Sequence, residues 1–416
     1  MSRRALWIWL AIYFACACFV VAHRSAHGGL LTDSDTVGIF KGIRENPHPW
    51  SWFVRDWPLG NHFYRPVSTL TFVVDGANAS AARVGLTNAV LAALSVLGLG
   101  GLTLALRRWL NLDWVLAAPI VFTAWCLDQG FPVFVAASVA AVGLALWQRR
   151  WFTLGMVLAA VPTFYMEVGE AIKLYYRMLA WVPGRTASTM TVFVLPAMFG
   201  AVLYWRRGHW GWLALSGVCT WLALASYEQA VMVLPVMFTI WLARRESKPK
   251  PWAWILVLGA VTVAYFLIRM QVVSLSPSGY QRQQWRTGGG GFLEIYHFAV
   301  PAFAAITYVW ALISTSLFAL LLPDFYISLV VAASPIALVC LLWRNPNART
   351  LVWMFVAGIV AYAPMAFFHY FEHYFFWPMA IRAVTICALA QVVWEHGHQL
   401  RPLPARPERG GESLVL

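Results

Sequence analysis

Two short motifs within one polar segment carry the residues that are best suited to chemistry. Residues 32–75 contain Asp-Ser-Asp at 33–35 and, further on, Tyr-Arg-Pro around Arg65. A carboxylate can take the proton from an attacking hydroxyl group, and arginine presents a fork of N–H donors that suits a phosphate group. The motifs therefore predict proton abstraction beside a bound phosphate, with Asp33 or Asp35 as the candidate base.

Structural roles for the same residues remain open from the sequence. Asp33 has the type and the position to cap a helix that starts near Asp35, because an N-cap aspartate accepts hydrogen bonds from the first turn. Arg65 could bind a lipid headgroup or a neighbouring aspartate instead of a substrate phosphate. The proline that follows it, Pro66, restricts the backbone and could aim the arginine side chain.

Further polar residues stand where apolar runs are interrupted. We expect Arg269 to be a second phosphate ligand, with lipid headgroups as its alternative partner. We expect six residues to line the site, namely Tyr64, His62, Asp128, Glu228, Glu372 and His373. Glu228 could alternatively cap the helix that follows it. The spacing of His369 and His373 would suit a metal ion, but an aromatic lid is the favoured interpretation, so no metal ligands are assigned and a divalent ion stays an open alternative.

The composition indicates a membrane protein. Of 416 residues, 61% are hydrophobic and 11% charged, with a mean hydropathy of +0.65; soluble domains carry about 25% charged residues. The net charge of +13 does not indicate nucleic-acid binding, because the cations form short clusters between apolar runs, as in the positive-inside pattern. The six cysteines lie in apolar runs without a CxxC pair and predict neither disulfides nor a zinc site.

The apolar runs predict an all-α polytopic protein of about twelve transmembrane helices with both termini in the cytoplasm. We expect the membrane domain to cover residues 1–394, with a first external loop at about 24–80 that carries amphipathic helices. A basic tail at 395–416 is expected to be disordered. The apolar run 210–243 is too long for one crossing and is expected to break near Glu228.

One apolar segment is ambiguous. A crossing at 296–322 would place the cations at 344–349 outside, against the positive-inside rule. We therefore expect residues 296–322 to lie along or dip into the outer face. Two other stretches, 50–57 and 167–177, are also expected on the outer membrane surface. The remaining spans are predicted near 326–343, 351–368 and 376–394. With this topology, the candidate residues all fall on the outer face.

Four stretches resemble the membrane part of the transmembrane and tetratricopeptide-repeat O-mannosyltransferases, which belong to the GT-C superfamily. Residues 61–72, NHFYRPVSTLTF, resemble that family's HKSYRPLTVLTF, and DSDTVGI from Asp33 resembles the acidic segment of the same loop. YEQAVMVLP from Tyr227 is similar to the family's KEQG or EQA corner, and EHYFFWP from Glu372 to its ERYLYLP stretch. The four stretches follow the family's order over residues 30 to about 380, and 61–72 is the most specific of them.

The resemblance implies an inverting transfer of a sugar from a polyprenyl-phosphate donor to a hydroxyl group of a glycan, lipid or protein. It implies Asp35, with Asp33 next, as the general base, and Arg65 as a ligand of the donor phosphate. Two departures limit it: no tetratricopeptide repeats are present, and His373 stands where the family has arginine. Many bacterial relatives also lack the repeats, so the resemblance implies a bacterial inner membrane with the site on its periplasmic side.

Two other classes of protein stay open. A transporter or flippase of lipid-linked saccharides would bind the same donor, but transporters of this kind often show paired halves with polar groups at mid-membrane, and neither is evident here. A catalytically inactive accessory membrane protein would tolerate neutralisation of the acidic loop.

Overall fold

The computed structural model describes most of the chain. The described residues are 1–76, 78–172, 180–244, 252–286, 345–369 and 371–399, with isolated residues between 290 and 343. The predicted surface segment 296–322 lies outside them, as do most of the predicted span near 326–343 and the tail beyond residue 399.

Helices form nearly all of the described part of the chain, which contains no β-strand. In chain order, the α-helices are α1 (Arg3–Ser25), α2 (Ser34–Glu45), α3 (Pro66–Asp75), α4 (Ala81–Leu110), α5 (Ala118–Cys126), α6 (Gly130–Trp147), α7 (Trp151–Ile172), α8 (Arg185–Arg207), α9 (Trp210–Leu224), α10 (Val233–Ala243), α11 (Trp252–Val272), α12 (Gly279–Gln284), α13 (Ala348–Tyr362) and α14 (Phe376–Gln399). Short 3₁₀ turns link them at Pro49–Val54, Trp114–Ala117, Val182–Gly184, Glu228–Met232, Ala363–Phe367 and Glu372–Phe375.

Seven of the described helical segments are long and apolar enough to cross a membrane. Six contain α1, α4, α6, α8, α11 and α14, and the seventh is α13 with the turn that extends it to Phe367. Four shorter apolar segments accompany them, at Trp114–Cys126, Trp151–Val161, Trp210–Leu224 and Glu228–Ala243. The prediction of an all-α, multi-pass membrane protein is confirmed at this level.

The apolar helices divide into a central and a peripheral set. The apolar windows of α4, α8 and α14 are 67%, 78% and 78% buried within the protein, whereas those of α1, α6 and α11 are 17%, 11% and 17% buried. Helices that are apolar all round and yet poorly covered by protein need an apolar solvent. The peripheral set therefore fits a lipid surround, with α4, α8 and α14 at the centre of the bundle.

The apolar run 210–243 breaks where the sequence predicts. α9 ends at Leu224 and α10 begins at Val233, with the 3₁₀ turn that starts at Glu228 between them. Two carbonyl groups at the break accept hydrogen bonds from α3. The Val67 N–H donates to the Ala225 carbonyl at 3.0 Å, and the Ser68 hydroxyl donates to the Ser226 carbonyl at 2.9 Å. The first loop thus docks on the helix break, and this contact joins the two most distinctive polar regions of the sequence.

The first loop has a small core of its own. The buried face of α2, from Ile39 to Ile43, packs with Trp52, Trp57 and Phe72. The expectation that residues 50–57 lie on the membrane surface is therefore wrong for Trp52 and Trp57, which are 5% and 4% exposed. Packing their indole rings against α2 is more favourable than placing them at the membrane surface.

Two boundaries also differ from the sequence expectation. α7 continues without a break to Ile172, so the first part of the predicted surface segment 167–177 belongs to this helix. α14 continues to Gln399, five residues into the predicted tail that starts at Glu395. Across this boundary, the Gln391 amide donates to the Glu395 carboxylate at 2.7 Å, one turn further on. Such side-chain pairs stabilise a helix.

Candidate active site

The acidic motif begins the amphipathic helix α2, and its two aspartates have different surroundings. Asp33 is the N-cap, and its carboxylate accepts from the backbone N–H of Thr36 at 3.0 Å and from the Thr36 hydroxyl. The indole N–H of Trp181 donates to the same carboxylate at 3.2 Å. Asp33 is therefore engaged as a cap and as the link between the first loop and the stretch before α8.

Asp35 lies in the first turn of α2 and is half-buried. Its carboxylate makes no hydrogen bond or ion pair with any residue in the described part of the chain. Burial raises the pKa of Asp35, and the nearby charge of Asp33 raises it further. A carboxylate without a partner and with a raised pKa is a better proton acceptor than one held by three donors, so Asp35 is the stronger candidate base.

Arg65 forms the centre of the site. Its Nε donates to Glu228 Oε2 at 2.8 Å, and its Nη2 lies 2.7 Å from the same oxygen. The guanidinium carbon lies 3.9 Å from the centre of the Phe63 ring, 4.4 Å from that of Tyr227 and 5.6 Å from that of Trp57. Burial acts to lower the pKa of Arg65, but the Glu228 carboxylate raises it on balance, so the cation is retained.

The Arg65 side chain keeps hydrogen-bonding capacity. Its Nη1 makes no hydrogen bond to any residue that the structure describes. Glu228 Oε1 is buried and has no partner among these residues either. The ion pair thus fixes one side of each group and leaves the other side for a ligand.

Tyr280, on α12, joins the two predicted halves of the site. Its ring packs edge-on against Phe63, with the centroids 6.4 Å apart, and Phe63 lies against the Arg65 guanidinium. Tyr280 lies close enough to both Asp35 and Arg65 to be affected by their charges. Burial raises the pKa of Tyr280, so its hydroxyl remains a donor at neutral pH. Tyr280 therefore lies near both the candidate base and the candidate phosphate ligand.

The predicted residues His62 and Arg269 hold the first loop in place. His62 has a left-handed backbone with φ 65°, and its N–H donates to Asp56 at 2.9 Å. The His62 carbonyl accepts from Arg269 Nη2 at 3.1 Å and from the Gln281 amide at 3.2 Å. Arg269 thus ties α11 to the loop, and Tyr265 lies close enough to both Arg269 and Arg65 to be affected by their charges.

Tyr64 is structural in its contacts. It is 3% exposed, and its hydroxyl donates to the Phe53 carbonyl at 3.0 Å. Its own carbonyl accepts from the Tyr265 hydroxyl at 2.9 Å. Tyr64 therefore supports Arg65 from behind, as a part of the wall.

His373 belongs to the site through Tyr227. The Tyr227 hydroxyl lies 3.3 Å from His373 Nε2, and the Tyr227 ring lies against Arg65. His373 is 8% exposed, among the rings of Trp181 and Phe371, which stack on each other with centroids 6.0 Å apart. This contact brings the stretch that begins at Tyr227 together with the stretch that begins at Glu372.

The described contacts do not bring Asp128, which was predicted to line the site, or His369 to Arg65. Asp128 is exposed, with a left-handed φ of 59°, and its charge acts on His23 at the end of α1. His369, the other half of the histidine pair, is exposed, and its N–H donates to the Gln284 carbonyl at 2.7 Å. Glu372 begins the turn before α14, but its side chain lies outside the described residues.

Several buried polar atoms near this site have no partner among the described residues. They are Asn61 Oδ1, Glu228 Oε1, Gln229 Oε1 and, as an atom of either role, His373 Nδ1, and other atoms of this kind lie elsewhere in the bundle. Buried polar atoms are normally satisfied, so such a group points to a bound polar ligand or to ordered water. Acceptor oxygens in this number suit a ligand that is rich in hydroxyl groups. Within the described chain, no three His, Cys, Asp or Glu side chains are placed to hold a metal ion.

One charged pair near the site was not identified from the sequence. Asp75, at the end of α3, and Arg185, at the start of α8, form an ion pair of 2.5 Å with both side chains fully buried. Arg185 also donates to Asn88 Oδ1 at 2.6 Å and to the carbonyls of Thr71 and Val84, both at 3.1 Å. The available signal was an arginine at the start of an apolar run, where a cation is costly without a partner.

No family model, no curated protein and no solved structure matches this chain.

Proposed function

We propose that this protein is a membrane glycosyltransferase of the GT-C type with about twelve transmembrane helices. It transfers a sugar from a polyprenyl-phosphate donor to an acceptor hydroxyl at the outer face of the membrane. The observation that supports the proposal is the presence near Tyr280 of both Asp35, a carboxylate without a partner among the described residues, and Arg65, an arginine that is fixed by an ion pair and keeps its Nη1 group free of described partners. The resemblance of residues 61–72 to the O-mannosyltransferases agrees with this assignment.

Arg65 binds the donor phosphate through its Nη1 group, which has no protein partner among the described residues. The aromatic rings around the guanidinium hold it in one orientation and exclude water, and both effects strengthen a charge-assisted hydrogen bond. Glu228 neutralises the single positive charge of Arg65, so binding of a phosphate needs a second cation. Arg269, bound to the His62 carbonyl on the same loop, supplies that charge.

Asp35 takes the proton of the acceptor. The acceptor oxygen attacks the anomeric carbon from the side opposite the phosphate, a new C–O bond forms, and the bond to the phosphate oxygen breaks. Polyprenyl phosphate leaves with the electron pair of that bond, and the proton goes to Asp35. One carboxylate is sufficient, since a phosphate leaving group needs no strong acid, and the configuration at the anomeric carbon is inverted.

The unpaired acceptors around Glu228 bind sugar hydroxyl groups in this proposal. The prenyl tail lies between helices, and the acceptor is a glycan, a lipid or a protein. The location that fits is a bacterial inner membrane with the site on the periplasmic side. The donor chemistry requires no metal in this scheme, and a divalent ion beside the phosphate stays an alternative.

Proteoliposomes with the purified protein test the proposal against the flippase alternative. Polyprenyl-phosphate-linked hexoses and pentoses are supplied with hydroxyl acceptors, and both the glycosylated product and the position of the intact donor are measured. We expect covalent product and released polyprenyl phosphate. Movement of intact donor across the bilayer without product would identify a flippase, and neither product nor movement with any donor would favour an accessory protein.

A further inference from the structure

A second cluster of charged residues lies at the end of the bundle opposite the candidate active site. Arg108 stands at the end of α4, Arg206 and Arg207 end α8, and Arg244 follows α10. The other ends of α4 and α8 lie beside Asp75 and Arg185 of the first loop region. α8 has 23 residues, so the two clusters are about 35 Å apart along its axis at 1.5 Å per residue.

Tryptophans bring these helix ends together. Trp109 of α4 and Trp205 of α8 have ring centroids 5.0 Å apart, and Trp205 and Trp254 of α11 have centroids 5.2 Å apart. The Arg244 guanidinium lies 4.4 Å from the Trp109 ring, and that of Arg207 lies 5.8 Å from the Trp212 ring. An arginine that packs against an aromatic ring is held in place by that ring.

The cluster has an excess of positive charge. Arg206 is close enough to Arg108, Arg207 and Arg244 to be repelled by all three. The side chains of Arg108 and Arg206 make no hydrogen bond or ion pair with any described residue. Asp113, at the same end of α4, is already paired with Arg107 at 2.5 Å. Arg108 and Arg206 therefore have no counter-charge among the described residues, and converging cations of this kind indicate a site for an anion.

Buried hydrogen-bond donors beside the cluster also indicate a site for an anion. The indole N–H groups of Trp205 and Trp254 have no partner among the described residues, and the two side chains are 5% and 0% exposed. A buried N–H group without an acceptor is costly, so it indicates an acceptor that is part of the functional molecule. Phosphate oxygens are strong acceptors for both guanidinium and indole N–H groups.

We propose that this cluster, Arg108, Arg206, Arg207 and Arg244, binds the phosphate of an anionic phospholipid. A lipid headgroup fits better than a free phosphate because the cluster lies where apolar helices end, at headgroup level. Trp210 and Trp252, at the same end of the bundle, are 64% and 67% exposed, as tryptophans at a membrane interface are. The site is independent of the proposed transferase activity.

Native mass spectrometry of the full-length protein, released from mixed phosphatidylglycerol and phosphatidylcholine nanodiscs, tests the proposal. We expect bound phosphatidylglycerol to be enriched on the wild type. The Arg108→Gln/Arg206→Gln variant should reduce this enrichment about 30-fold, because each cation near an anionic surface contributes about fivefold. The matched control, Arg149→Gln/Arg150→Gln, removes the same charge from the link between α6 and α7 and should keep the enrichment.

Three results would overturn the proposal. The first is a wild type without enrichment, which requires no variant and so does not depend on variant folding. The second is an equal loss in the two double variants, which would show a general effect of surface charge. The third is stabilisation of the wild type by inorganic phosphate in pure phosphatidylcholine discs, absent in Arg108→Gln/Arg206→Gln, which would make free phosphate the ligand.

Discussion

At the scale of single residues, Asp33 and Asp35 show how position decides the use of a carboxylate. Both are in one motif, and the sequence favours Asp35 only through a resemblance. In the structure, Asp33 is held by Thr36 and Trp181, whereas Asp35 has no partner in the described part of the chain. The capping role of Asp33 could be predicted because it depends on neighbours three residues away. The contact with Trp181 could not, since it joins residues 148 positions apart.

The raised pKa of Asp35 predicts that this residue lowers the stability of the protein. The folded state keeps the proton of Asp35 to a higher pH than the unfolded chain does, so its contribution to stability falls as pH rises from the unfolded pKa through the folded pKa. Above that window, Asp35→Asn removes the cost of a charged, half-buried group. We expect a small rise in the melting temperature at neutral pH, measured in detergent micelles.

The neighbouring aspartate serves as the control for that measurement. Asp33→Ala removes the N-cap of α2 and should lower the free energy of unfolding by about 1 kcal/mol. A melting temperature of Asp35→Asn well below that of the wild type would mean that Asp35 anchors the loop and would contradict the assignment of an unsatisfied base.

At the scale of elements, buried charge pairs fix the first loop to the helices. Arg65 reaches Glu228 across 163 positions, and Asp75 reaches Arg185 on α8. The break between α9 and α10 could be predicted because the length of an apolar run and its polar interruption are local properties. These partners could not be predicted, because the choice between several cations and carboxylates depends on how the helices pack. The burial of Trp52 and Trp57 has the same cause, since α2 supplies the surface that covers them.

The Asp75–Arg185 pair predicts a large effect of a single substitution. Arg185→Met leaves Asp75 buried without a counter-charge and should cost about 3–5 kcal/mol of unfolding free energy. The double variant Asp75→Asn/Arg185→Met removes both charges and should recover much of that loss. Chemical unfolding in mixed micelles measures both.

An exposed arginine near the same helices provides the control. Arg83, at the start of α4, donates to the Val74 carbonyl at 2.6 Å from an exposed position. Arg83→Met should change the unfolding free energy by about 0.5 kcal/mol or less. Equal losses in Arg83→Met and Arg185→Met would show that the buried pair does not hold α3 against α8.

At the scale of the whole molecule, the polar groups divide between two ends of a helical bundle. The end with the first loop carries the carboxylates and the acceptor-rich site, and the other end carries arginines with few carboxylates. This division could be predicted, because hydropathy and the positions of cations determine topology. The side on which residues 296–322 lie remains a prediction from the same rule.

Cysteine labelling measures that topology directly. In a chain without its native cysteines, Cys replaces the exposed Trp285 in the loop after α12, or Asn347 before α13. If residues 296–322 do not cross the membrane, one crossing separates the two positions, and an impermeant thiol reagent should label them from opposite sides. Labelling from the same side would mean that residues 296–322 span the membrane.

The most direct test of the central claim compares transfer by Asp35→Asn and Asp33→Asn. Asparagine is as good an N-cap as aspartate, so Asp33→Asn preserves α2 and removes the same charge two residues away. With a polyprenyl-phosphate sugar and a hydroxyl acceptor, Asp35→Asn should lower the turnover rate about 10²–10⁴-fold, and Asp33→Asn should retain most of it. Full transfer by Asp35→Asn would contradict the assignment of Asp35 as the general base.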